Sequence, residues 1–499
     1  MKIVLAGYNV DTDVLKELMA TAGERPDATP ETLSAAYARI SRSPKPVNEL
    51  RRLARKEVEK ARRSNRNIIF GLGHHSVAEH ALFNFDIMGV SRLAIEEIEK
   101  FRLCSYTEKS QRYITLGDDF VIPEEVEGSP WKKIFVDAVG FQNELYHKLY
   151  DALRVHLFKK YADMARERKN HPVLDGWAKE DARYITSLAT EGQLGATLNG
   201  RNLELLFRRF ASHELAEVRE IGRKMFQLVE KVAPSIILFT EANEYDQKTY
   251  PALRRTAEDF TRDGQIPLIE SELKDVQLVH YTSNADDLTV ASLLHTSTDL
   301  SFEECIGRTK RLTRDEKKAI IKTACQHMEL YDSALREFEY VDLIFNLVVS
   351  ASCFAQLKRH RKVSLTCQPY DLDLEVTVPE SIVEIGMERD FREIVAHTED
   401  VYYDLKDEFP TAAPYILTNA HRKRVLLKVN ARELYHISRL RQDASAQWEI
   451  RQLVGKMVAQ AKEVMPLTVL LIGGKDNYPK VYEEVFGRPP KVVEAELPT

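Results

Sequence analysis

Residues 91–113 read SRLAIEEIEKFRLCSYTEKSQRY, and residues 350–370 read SASCFAQLKRHRKVSLTCQPY. Each is an apolar helical pattern running into a polar, basic segment. Laying Lys100-Phe101-Arg102 on Arg359-His360-Arg361 also brings Ser105 onto Ser364 and Thr107 onto Thr366. A second echo lies downstream, where Leu198-Asn199-Gly200-Arg201-Asn202-Leu203 matches Val429-Asn430-Ala431-Arg432-Glu433-Leu434, and the helical stretches that follow end alike at Met225 and Met457. A third, weaker echo pairs the N-terminal apolar stretch with Val276-Gln277-Leu278-Val279-His280-Tyr281. Three echoes in one order indicate a tandem duplication. The second copy is shorter between its two motifs, so the spacing is not rigid.

The duplication organises everything else in the chain. At 499 residues the length alone suggests two or three domains. The repeat turns this into one domain written twice, with a boundary near residues 264–271, where Asp263-Gly264 and Ile266-Pro267 carry turn signals. The domains are expected over residues 1–265 and 266–499. Each copy reads as α+β, an antiparallel sheet with long helices. Strands are expected at Ile3 to Ala6 and Val276 to His280, and amphipathic helices at Val47 to Ser64 and Arg314 to Glu329. A solvent-facing antiparallel strand is expected at Asp371 to Val378.

Composition excludes several function classes. Apolar residues are 44% and charged residues 30%, which describes a folded globular chain. With 71 basic against 77 acidic residues, the net charge of −6 argues against an obligate nucleic-acid or membrane-surface binder. The five cysteines are scattered without a C-x-x-C pair, which argues against a disulfide framework or a zinc ribbon. The opening apolar run is too short for a secretory core, and no stretch reaches the roughly 20 residues of a membrane span. A reduced, cytoplasmic protein is expected.

Three stretches carry candidate chemistry. Glu108, Ser110 and Arg112 recur at every second position, which in an extended segment places them on one face. An acceptor, a hydroxyl and a guanidinium on one face suit an anionic, hydrogen-bonding ligand; the bland alternative is a wet strand edge. Lys358-Arg359-His360-Arg361-Lys362 closes an apolar helix, either as a solvated cationic cap or as a clamp for nucleotide phosphates. His74-His75-Ser76-Val77-Ala78-Glu79-His80 misses the His-x-x-Glu-His zinc spacing by one residue, so no metal is expected there. Cys104 and Cys367 flank the basic segments without a partnering constellation and read as packing residues. No phosphate loop and no G-x-G-x-x-G turn occurs.

Together these motifs resemble the flavin-dependent thymidylate synthase family, whose signature is R-H-R-x-x-S-x-N-E-x-S-x-R-Y, preceded by H-x-[ST]-x-x-E-H and followed by an N-x-R helix. The first copy supplies His74, Ser76, Glu79, His80, Arg102, Ser105, Glu108, Ser110, Arg112 and Tyr113; the second supplies Arg359, His360, Arg361 and Ser364. The resemblance implies FAD as cofactor, dUMP and methylenetetrahydrofolate as substrates, and NADPH as reductant. It also implies active sites between subunits, so that a homodimer of this chain would mimic the family tetramer.

Carried over by position, the resemblance assigns dUMP to Glu108, Ser110, Arg112 and Arg183, and to Gln356 and Arg359 from the second copy. FAD falls to Ser76, Glu108, Arg359, His360, Arg361, the N-x-R residues Asn199, Arg201, Asn430 and Arg432, and His436. Arg441 is the arginine that lies against the pyrimidine. The losses are complementary. The first copy has Lys100-Phe101 in place of Arg-His, and Glu97 in place of the glutamine. The second copy has Cys367, Pro369 and Asp371 in place of the Glu, Ser and Arg, and Pro414 in place of Arg183. One composite site could be assembled from both copies, within a chain or between chains. In the first copy either Phe210 or Arg209 matches Arg441, depending on where a gap is placed. A flavoenzyme repurposed for another pyrimidine nucleotide and a nucleotide-binding pseudoenzyme are the alternatives.

Overall fold

A computed structural model of the chain describes residues 1–20, 28–40, 43–261 and 274–491. The expected repeat boundary at residues 264–271 lies outside the described residues. Contacts gather the chain into two units, Met1–Ile269 with Pro379–Thr418, and Glu270–Val378 with Asn419–Thr499.

In the first unit β1 (Lys2–Tyr8), β2 (Leu82–Ser91), β3 (Ser105–Glu108) and β4 (Glu191–Asn199) form an antiparallel sheet in the order β1-β2-β4-β3. Alternation on β2 decides its faces. Phe83, Phe85 and Ile87 are buried, whereas Leu82, Asn84 and Asp86 face out. The second unit repeats the pattern with β5 (Val276–Tyr281), β6 (Asp342–Ser350), β7 (Ser364–Tyr370) and β8 (Arg422–Asn430), in the order β5-β6-β8-β7. Leu82 pairs with Asn199 and Asp342 with Asn430, so the registers agree at the strand ends that lead into the N-x-R helices. The first sheet carries one extra residue, a bulge between Met88 and Val90. Gly89 makes it possible with φ +67°, a left-handed conformation that a side chain disfavours.

Under the second sheet, Leu343, Phe345, Leu347, Val425, Leu427 and Val429 form one core with Leu434, Ile437, Ile450 and Val454. These last four lie on the helices Ala431–Arg441 and Trp448–Val464. The helix Glu388–Glu408, from the second repeat, packs in the first unit against Trp131–Lys160. The buried Gln142 amide ties them, donating to Thr398 Oγ1 at 2.8 Å and to the Ile416 carbonyl at 2.9 Å. Nearby, the Leu188 and Ala189 amides donate to the carbonyls of Leu417 and Tyr415. The two repeats therefore meet there through equivalent segments.

Local structure departs from the sequence expectation in three places. The helix expected over Val47 to Ser64 breaks at Glu57 (φ −132°, ψ 61°) into Val47–Lys56 and Val58–Arg66. The helix from Arg314 ends at Cys325 rather than Glu329. The second copy's solvent-facing strand is Ser364–Tyr370, and Asp371 ends it by accepting a hydrogen bond from the Asp373 amide, which starts a short 3-10 turn.

Both motif helices begin in one way. Ser91 accepts from the Ala94 amide, and Ser350 accepts from that of Cys353. Each serine hydroxyl also donates a hydrogen bond to a carboxylate 2.5 Å away, Glu217 in the first unit and Glu449 in the second. Burial raises the Glu217 carboxyl above its ordinary value, and the Ser91 and Tyr415 donors pull it back. Ser91→Ala should therefore cost about 1–3 kcal/mol in denaturant unfolding. The variant carboxyl climbs further in the folded state and holds a proton that the unfolded chain releases. Its deficit relative to the parent should thus grow as pH rises above the parent's own raised Glu217 value towards that of the variant; a deficit that shrinks with pH would contradict this account of Glu217.

Candidate active site

Strand β3 ends at Glu108, so Ser110 and Arg112 sit in a turn rather than continuing one strand face. The Ser110 hydroxyl accepts from the Arg112 amide at 3.2 Å, which fixes that turn. Glu108 is paired with Arg92 at 2.9 Å, both almost wholly buried. The Arg112 guanidinium is paired with Glu180. Arg183, at the start of a 3-10 turn, donates through Nε to the Glu180 carbonyl at 3.3 Å. Burial pulls Arg183 below its ordinary value; the Glu180 charge opposes this, and the Arg112 and Arg92 charges add to it. Three guanidinium groups thus share one neighbourhood with two carboxylates, a net positive site of the kind that takes a phosphate.

The second unit gathers the other set of residues. Ala351–Leu357 ends before the basic run, which then alternates. Lys358 and His360 turn inward and are buried, while Arg359, Arg361 and Lys362 are exposed. Lys358 and His360 are therefore not part of a solvated cap. Arg441 donates through Nε to His360 Nε2 at 3.0 Å and through its terminal nitrogen to the Gln356 carbonyl at 3.1 Å. The Gln356 side-chain Nε2 is buried and has no hydrogen-bond partner. Burial holds His360 well below the usual histidine value, and the Arg441 and His436 charges push the same way, so its ring is neutral. His436 stands edge-on, 6.2 Å from His360 between ring centroids.

The N-x-R residues are set alike in both units. Asn199 and Asn430 cap their helices, accepting from the amides of Asn202 and Glu433. Arg201 pairs with Glu79 at 2.6 Å, and Arg432 with Glu339 at 2.7 Å. Ser76 lies exposed on the 3-10 turn His75–His80, beside that first pair. Glu339 escaped the sequence reading, although it precedes β6 as Glu79 precedes β2. Glu433, Arg92 and Glu180 escaped it too. Glu180 alone left a trace, three residues before Arg183 on one helical face.

Where the first repeat lacks a motif residue, the structure fills the place. Phe210 follows its capping Asn199 by the same number of residues as Arg441 follows Asn430. It packs edge-on against Phe101, with ring centroids 5.8 Å apart, where the second repeat has Arg441 on His360. Arg209 lies instead over the Phe101 ring at 5.9 Å. Glu97, in the glutamine's place, is bound by Lys100 at 2.6 Å and His213 at 3.2 Å. Burial alone would raise its carboxyl, but the His213 hydrogen bond and the Lys100 charge hold it down to about 2. In the second repeat Pro369 sits where the register of β7 slips between Cys367 and Tyr370, and Asp371 is paired with Arg424. Pro414 lies in the 3-10 turn Ala413–Ile416 of the first unit and donates nothing.

The family model for thymidylate synthase complementing protein matches residues 26–235 and again 277–467. A flavin-dependent thymidylate synthase of Clostridium tetani is 32% identical over 215 residues, 42% of this chain and 82% of that protein. A UPF0159 protein of Thermoplasma acidophilum is 23% identical over 480 residues, 87% of this chain and 93% of that one. Among solved structures, the flavin-dependent thymidylate synthase of Helicobacter pylori complexed with FAD and dUMP is 16% identical with a TM-score of 0.33. It covers 48% of this chain and 100% of its own.

Phe210 is 2% exposed, so Phe210→Ala should destabilise the chain by about 3–5 kcal/mol in denaturant unfolding while leaving bound ligands unaffected. A ligand-binding loss as large as the stability loss would show that this aromatic pair does more than fill space.

Proposed function

The chain belongs to the flavin-dependent thymidylate synthase family as two tandem repeats, and on that premise we propose that it methylates dUMP reductively to dTMP. Methylenetetrahydrofolate is the carbon donor in this reading, NADPH the reductant and FAD the cofactor. The first repeat lends the nucleotide-binding residues and the second the flavin-binding residues, and a homodimer carries the four repeats of a family tetramer. One observation carries the reading: each repeat keeps in bondable form what the other has filled or lost. The partnerless Gln356 amide beside Arg441 has as its counterpart Glu97, already neutralised by its own neighbours. The arginine cluster around Glu180 has as its counterpart Pro414.

The residues present fit FAD and a pyrimidine nucleotide. A buried donor without a partner costs stability unless a ligand meets it, and Gln356 Nε2 is such a donor. Arg359, Arg361, Arg432, His360 and His436 would hold the flavin with Ser76, Arg201 and Glu108 of the first repeat. FAD, when bound, supplies the redox chemistry. Arg112 and Arg183 anchor the nucleotide phosphate, with Ser110 as a neutral donor. Arg441 presents a fixed positive charge to the pyrimidine, where negative charge develops as C5 becomes electron-rich. A neutral His360 can accept from Arg441 and so steers the guanidinium without competing for that charge.

No thiolate is needed for this chemistry. Cys104, Cys305, Cys325 and Cys353 are buried, and burial pushes the Cys325 thiol up to about 12. Among the described residues no helix is long and apolar enough to cross a membrane.

Purified protein should show flavin absorbance, on its own or after addition of FAD, and should release tritium from C5-labelled dUMP. Arg112→Ala and Arg441→Ala should each lower release by roughly 100- to 1,000-fold. Mixing the two variants restores release only if the site is built between chains. Absence of any flavin signal sinks the proposal, and release from labelled UMP but not dUMP reassigns the nucleotide.

A further inference from the structure

We propose that Glu433 is a positioning residue that acts through His360 on Arg441. The inference rests on the function proposed above and adds a residue that the family motif does not contain. Glu433 lies on the first turn of the helix Ala431–Arg441, and its own amide is fixed by the Asn430 cap at 2.8 Å. Its Oε1 stands 4.0 Å from His360 Nδ1, with both side chains almost fully buried. A guanidinium stays protonated, so Arg441 Nε can only donate to His360 Nε2. The neutral ring must then carry its proton on Nδ1, the nitrogen that faces Glu433. Carboxylate, imidazole and guanidinium form one line in which the acid selects the tautomer and the tautomer holds the arginine.

The first repeat supports the linkage independently. There Glu433, His360 and Arg441 become Asn202, Phe101 and Phe210, so all three positions have changed together. Asn202 turns its amide back to Asn199 Oδ1 at 2.9 Å and has no imidazole to serve. The groups facing this line are His436, Arg432 and Arg439 on the same helix and Lys362, two residues beyond His360. Burial raises the Glu433 carboxyl, and the Lys362 and Arg432 charges restrain it. His360, Glu433 and His436 bring potential metal-ligand atoms within 4.8 Å of one another, the one such group among the described residues. With Arg441 already on His360 Nε2 and three further cationic side chains close by, a divalent cation is disfavoured there.

The test is a double-mutant cycle on full-length protein with Glu433→Gln and His360→Gln. Glu433→Gln should lower kcat for C5 tritium release by roughly ten-fold with flavin content unchanged, and KM for dUMP should move much less. In the His360→Gln background the same substitution should have no further effect. Additive losses, or a kcat loss matched by loss of flavin, overturn the proposal. Loss of release on chelation with recovery on adding zinc does so too.

A readout without turnover separates this inference from the function itself. In the 15N spectrum of histidine-labelled protein, with His360→Gln identifying the signal, the ring should be neutral and protonated on Nδ1. A ring protonated on Nε2, or charged at neutral pH, removes Glu433's role. Lack of dUMP turnover alongside an Nδ1–H ring removes only the assigned reaction.

Discussion

A carboxylate, buried in the first repeat and half-buried in the second, grips the first turn of each motif helix, and the sites on both repeats depend on that grip. Glu217 takes the backbone N–H and the hydroxyl of Ser91, and Glu449 takes the same two groups of Ser350. The serine therefore caps its helix and is itself held from behind by a later helix. This fixes where a seven-residue helix starts, and so where the residues beyond its end emerge. Such a short helix has little stability of its own, so tertiary contacts must set its position. The asparagine caps at the ends of β4 and β8 do the same for the N-x-R helices, aiming Arg441 at His360.

Much of the fold was legible because these devices are local and leave residues at fixed intervals. The two motif helices, the opening strands and the matched N-x-R helices all appear as repeats in the chain, whereas the caps and the alternation of β2 are seen in the structure. The pairing of Arg201 with Glu79 and of Arg432 with Glu339 follows from the same periodicity, although only the first acid was recognised. What was not legible depends on contacts between segments far apart in sequence. Nothing local in Glu180 announces that it also binds Arg112, 68 residues earlier, or in Arg92 that it neutralises Glu108. The strand ends also misled. Alternation predicted a continuous face through Arg112, but β3 stops at Glu108 and the turn, rather than the pleat, delivers the arginine.

The two repeats keep one backbone while diverging in electrostatics. In the first, the acid–cation pairs close on themselves around Glu97, and the aromatic pair replaces the histidine and arginine. In the second, Lys423 is caged between the Phe354 and Tyr370 rings at 4.2 and 3.8 Å, directly behind the basic run. The equivalent position in the first repeat is Gly192, where a Cβ would meet the Ile95 side chain at 2.5 Å. Cation and aromatics thus belong together as a unit, and the first repeat has dispensed with the whole unit.

That divergence has a physical direction. A half-buried arginine resting on a buried, neutral histidine carries a desolvation cost that its hydrogen bond offsets only in part. Replacing such polar groups by apolar residues of similar volume is often neutral or stabilising by about 1–4 kcal/mol. Phe101 against Phe210, with Gly222 so close that a Cβ there would lie 2.8 Å from Phe210 Cβ, is that replacement. A duplicated chain can accept it in one copy while the other retains the costly polar arrangement. The arginine cluster of the first repeat shows the same logic in reverse, because Arg183 is kept buried at a penalty in the copy whose partner position is Pro414. Each repeat therefore bears one unfavourable polar cluster where the matching positions of the other are apolar.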